Sequence, residues 1–148
     1  MLIQTLRPLF ARDIAKLKNE IELYKDEQNI WVIGGAIANS AGNLCLHLVG
    51  NLNTYIGGEL GKTGYVRHRD LEFSLKNIPR AELLAKIDET AMVVDIALAS
   101  VTDEQLTQEY PMQVLVGKVI TGYFLIHLAM HLSYHLGQVN YHRRLLDK

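Results

Sequence analysis

"HLAMHLSYHLGQVNYHRR", residues 127–144, holds four of the chain's six histidines, and its periodicity decides how the rest of the chain must be arranged. At about 100° per residue, His127, His131, His135, Gln138 and His142 fall within one arc of roughly 80°. Leu128, Leu132, Leu136 and Val139 flank that polar stripe on one side, and Met130, Tyr134 and Tyr141 on the other. The opposite side carries Ala129, Ser133, Gly137 and Asn140, small enough to admit a neighbouring backbone. The pattern predicts a helix packed on both sides. It starts at Thr121 as N-cap and runs nearly to the end, with Arg143 and Arg144 close to the negative end of its dipole.

Outward from this helix, "LIQTLRPLFARDIAKLKNEIELY" repeats apolar residues every three or four positions, the signature of an amphipathic helix. Pro8 marks either its first turn or a kink. A second helix begins near Asn39 or Ser40, carries "AGNLCLHLVGNLNTYI" and stops at Gly57 and Gly58, where glycine suits a positive-φ cap. "GGELGKTGYVRHRDLEFSLKN" then reads as a long ordered connection. A third helix opens at Pro79 and ends near Ser100, with Leu83, Leu84, Ile87, Ala91, Val94 and Leu98 on one side. "TDEQLTQEYP" has room for one helical turn, and the β-branched "MQVLVGKVIT" reads as a small strand or stretched loop. With no repeat and no linker, residues 1–148 are expected to form one all-α domain, a four-helix bundle with long crossover connections.

Composition narrows the function. A chain of 148 residues buries enough surface to fold without a disulfide or metal staple, so a metal would serve function before structure. Fifteen Lys and Arg against 16 Asp and Glu leave a net charge of -1. Without excess positive charge there is no general attraction for nucleic acid. The lone Cys45, set among leucines, implies a buried thiol in a reducing compartment, and no stretch approaches the length of a membrane span. A cytoplasmic location is expected. "GGELGKT" has Ile56 where a phosphate-binding loop needs glycine, and it follows a helix instead of a strand.

Five polar side chains on a packed face need partners, since an unmatched buried group costs about 1–3 kcal/mol. A divalent cation satisfies several imidazoles at once. His131 and His135 stand one turn apart, the spacing of two ligands on a helix, and His127 and His131 form an equally spaced pair. Across the fold, His47 lies on an apolar helical face with Asn51 and Tyr55 on the same four-residue ladder. Gln138, one turn beyond His135, suits either a hydrogen bond that fixes an imidazole tautomer or a contact with a loop, and His142 reads as a cap or packing residue. Glu72 is the candidate general base from the connecting loop, with Asp70 and Glu59 as alternatives. Arg67 and Arg69 are candidates for an anionic substrate, against the simpler reading of surface ion pairs with Asp70 and Glu72.

"HLSYHLGQ" on the final helix and "NLCLHLVGNL" on the second resemble the DinB/YfiT-like superfamily of four-helix metalloproteins. "GNLCLHLVGNLNTYIGGELGKTGYVRHRDLEF" is similar to a branch of it whose members mostly lack an assigned activity. The resemblance implies a metal triad of His47, His131 and His135, a nickel or zinc ion with open coordination positions, and a homodimer. It also implies activation of water or of a low-molecular-weight thiol for transfer or hydrolysis on a small-molecule substrate. The other reading is a noncatalytic bundle whose histidines serve metal binding, packing or dimerisation.

Overall fold

The computed structural model describes residues 1–148 and is all-helical, with six α-helices and no strand. The helices are α1 (Leu2–Glu22), α2 (Ala41–Leu52), α3 (Arg69–Ser74), α4 (Arg80–Ala99), α5 (Asp103–Thr107) and α6 (Thr121–Leu146). A 3-10 turn occupies Glu27–Trp31, and a π-helical segment, Asn53–Gly58, prolongs α2. α1 packs on α4 and α6, and α2 packs on the same two helices, so α1 and α2 face each other across one shared core. Twenty-seven apolar residues form that core, among them Phe10, Ile21, Leu48, Ile87, Phe124 and Leu132. No helix is long and apolar enough to cross a membrane.

Most helix ends follow from local chemistry. The Ser40 hydroxyl accepts from the Asn43 amide and starts α2, as its sequence predicts. Thr102 and Gln105 form a reciprocal capping box on α5. Thr121 is the first residue inside α6 instead of its N-cap, because its hydroxyl turns back to the Gln108 carbonyl. "MQVLVGKVIT" is a loop whose one ladder-like contact pairs Glu109 with Ile120.

For Pro8 the first-turn alternative is excluded, and the cap expected at Gly57 and Gly58 fails for a physical reason. Pro8 lies well inside α1, on an exposed position where water can take the hydrogen bond that its missing N–H leaves open. Gly57 and Gly58 do not adopt positive φ. At Gly57 the requirement is space: an added Cβ would lie 2.6 Å from Val93 on α4, and a Cβ on Gly61 would meet Ala97 at 2.9 Å. These glycines let the end of α2 close against α4, where Asn53 also donates to Thr90.

The last helix is not packed on both sides. Met130, Tyr134 and Tyr141 are 68%, 66% and 61% exposed, and Ser133 and Gly137 are exposed with them. The polar histidine stripe therefore lies at the boundary between an apolar core face and an apolar open face.

Candidate metal centre

The site is assembled by α2, α3 and α6. On α2 the ladder Asn43, His47, Asn51 faces inward, all three buried. Asn43 donates to the carbonyls of Glu72 and Leu75 and so pins α3 against α2. Gly50 completes the fit: a Cβ there would collide with the Glu72 carboxylate. The short helix within the connection was not evident from the sequence, and its purpose is visible here, since it delivers Glu72 to the back of His47.

His47 Nδ1 lies 3.1 Å from Glu72 Oε1. A carboxylate only accepts, so Nδ1 carries the proton and Nε2 presents a lone pair. On α6, His135 Nδ1 lies 2.6 Å from Gln138 Oε1, which fixes the same tautomer and leaves its Nε2 bare too. Between them stands His131, whose Nε2 is 3.3 Å from that of His47 and 3.1 Å from that of His135. The three rings together place ligand atoms within 4.8 Å of one another. Nitrogens bound at 2.0–2.1 Å to one tetrahedral ion stand about 3.3 Å apart. A single N–H on His131 points well at only one of its two neighbours; a cation satisfies all three. These residues fit a divalent metal.

Electrostatics agree with this. Burial, with the neighbouring His135, His47 and His127, pushes the His131 pKa down to about 4, and burial lowers that of His135. Both rings are thus neutral ligands at neutral pH. Burial alone would raise the carboxyl pKa of Glu72, but hydrogen bonds from His47 and Arg67 outweigh it and hold it below the usual range. Glu72 receives Nε and Nη2 of Arg67 as well as His47. A carboxylate committed to three donors and 6% exposed orients a ligand and is not a free general base. Glu59 pairs with Lys62, and Asp70 is exposed.

The remaining candidates separate cleanly. His127 stacks between Phe124 and His131, its ring centroid 6.5 Å from the latter, outside the converging set. His142 is buried and bonded at both nitrogens, to the Tyr24 hydroxyl at 2.6 Å and the Val32 carbonyl at 2.8 Å. Its role is packing. Arg67 is spent on Glu72 and Tyr55, whereas Arg69 makes no ion pair and rests over the Phe73 ring. A cavity of about 230 Å³ borders His47 and His131 and is also lined by Asn51, Arg67, Arg69 and His127. A larger groove of about 750 Å³ runs along the C-terminal half of α6 and touches Gln138 but none of the three converging histidines. Asn43 and Gly50 were missed as supporting residues. Asn43 continues the four-residue ladder of His47 and Asn51, which is a signal the sequence contains.

The chain belongs to the family DUF1572, described as proteins of unknown function, whose profile matches residues 3–148. No curated protein and no solved structure matches it.

Proposed function

We propose, from the three converging imidazoles and the residues that orient them, that the protein is a divalent-metal-dependent enzyme acting on a small molecule. In this reading the four long helices form a DinB/YfiT-like bundle, and His47, His131 and His135 hold nickel or zinc. The observation that carries it is the fixing of two tautomers from behind, by Glu72 and Gln138, so that bare Nε2 atoms face one point. Packing alone does not call for that arrangement, because it leaves lone pairs opposed.

An ion held by three neutral imidazoles keeps its full charge and open positions, and so lowers the pKa of water or a thiol placed on it. The chain's own residues prepare that point. Glu72 holds the His47 ring and strengthens its basicity, Arg67 holds Glu72, and Gln138 holds His135. The thiol cannot be the protein's own: Cys45 is buried and its pKa is pushed up to about 12. A thiol that reacts here must come with the substrate or a cosubstrate.

The homodimer that accompanies this reading finds support in the open face of α6, where Tyr123, Ile126, Met130, Tyr134 and Tyr141 are exposed in series. Catalysis is tested by screening untagged protein, loaded with nickel or zinc, against electrophiles with low-molecular-weight thiols and against hydrolysable esters. Turnover that a chelator abolishes and the ion restores is expected. Inactivity with every thiol narrows the reading to hydrolysis. Inactivity with the esters as well overturns it in favour of a noncatalytic metal-binding bundle.

A further inference from the structure

The cavity beside His47 and His131 has a chemistry of its own. None of its lining residues is Asp or Glu, while two guanidiniums, Arg67 and Arg69, reach it. Arg67 is neutralised by Glu72. Arg69 has no ion-pair partner, its guanidinium is centred 5.3 Å from the Phe73 ring, and Phe73 in turn packs against His47 at 5.1 Å. An arginine held on an aromatic face at a cavity edge is pre-oriented for an anion. The second observation is Asn51, which lines the same cavity, is 7% exposed, and has a buried Oδ1 without a hydrogen-bond partner. Buried carboxamides are nearly always matched, and one that is not carries a free-energy penalty. Rotation about its terminal bond lets Asn51 offer either its oxygen or its N–H group to a ligand.

We infer that this cavity binds a small anion bearing one carboxylate, taken by Arg69, and one amide or hydroxyl, taken by Asn51. A volume of about 230 Å³ is that of roughly eight liquid waters at about 30 Å³ each, room enough for a ligand of about eight non-hydrogen atoms. Val114, Phe124 and Leu128 supply an apolar wall for its carbon chain. The inference rests on the proposed enzyme only for what happens to the ligand. Binding itself depends on residues that are not among the converging imidazoles.

The probe is succinamate, which has eight non-hydrogen atoms, a carboxylate and an amide; neutral succinamide and butyrate each lack one of the two groups. Calorimetric titration of untagged protein, both metal-free and zinc-loaded, is expected to detect succinamate in both forms. Arg69→Gln should weaken succinamate about tenfold, as loss of one charge-assisted contact implies, and leave succinamide unchanged. Asn51→Leu should weaken succinamate and succinamide but spare butyrate. Asn51→Asp, which keeps the shape, should repel succinamate more than succinamide, and circular dichroism melts confirm that each variant is folded. The inference is overturned if succinamate fails to bind the wild type. It is equally overturned if binding appears only with zinc and is indifferent to Arg69→Gln, since the ion alone would then recruit the carboxylate. Metal content of the same samples keeps the two readings apart. Stoichiometric zinc without succinamate binding removes this subsite alone; succinamate binding without any metal uptake removes the metalloenzyme alone.

Discussion

His131 and His142 sit on one helix, both with lowered pKa values caused first by burial, yet their ring nitrogens are partnered in opposite ways. His142 has a hydroxyl donor on Nδ1 and a carbonyl acceptor on Nε2. Its neutral form is complete, and it locks Tyr24 and Val32 to α6. His131 has no partner on Nδ1, and its Nε2 faces two other imidazole nitrogens. The difference teaches that burial does not distinguish a ligand from a packing histidine. The partner of each ring nitrogen does.

The comparison breaks most directly by removing each ring. Alanine at His47, His131 or His135 should take bound metal from near stoichiometric to a small fraction, leaving the fold intact by circular dichroism. His142→Ala should do the reverse, retaining metal but lowering stability in urea by about 2–4 kcal/mol, because it opens a cavity and strands the Tyr24 hydroxyl and Val32 carbonyl. A His142→Ala protein that loses its metal while still folded would join the two regions that the structure separates.

Smaller effects sharpen the same contrast. Glu72→Gln leaves His47 an acceptor but no anion and should weaken metal binding about 10–100-fold in competition titrations. Gly50→Ala, which drives the Glu72 carboxylate away from α2, should weaken it to a similar degree through a residue that never touches the metal. Gln138→Ala should fall at the lower end of that range, because Gln138 is exposed.

The smallest effect is on acid stability. The folded pKa of His142 is depressed, so the unfolded chain takes up a proton that the folded chain refuses as pH drops below the ordinary histidine value of about 6.5. Stability is therefore full above that value and declines below it. In metal-free protein His131 and His135 act in the same direction. The fall in urea midpoint between about pH 7.5 and about pH 5.5 should be shallower in His142→Gln, and an equal fall in both proteins would remove His142 from the explanation.

Much of this was legible in the chain. Apolar spacing located the long helices, Ser40 marked a real start, and the ladders of α2 and α6 brought forward His47 with His127, His131 and His135, of which the family resemblance singled out His47, His131 and His135. The rest depended on contacts that periodicity does not contain. A helical wheel gives the angle of Met130 and Tyr134 but not whether another element covers them. Gly57 reads as a cap until Val93 of α4 is seen against it. Glu72 reads as a candidate general base because the donors that claim it, His47 and Arg67, lie 25 and five residues away in sequence.

The central claim is that the bare Nε2 atoms of His47, His131 and His135 hold one divalent ion. Elemental analysis of protein purified without a histidine tag, and reconstituted with nickel or zinc, tests it most directly. Close to one ion per wild-type chain is expected, with a small fraction of that in each of the three alanine variants and full occupancy in His142→Ala. Wild-type protein that takes up no metal, or three variants that all retain it, would contradict it.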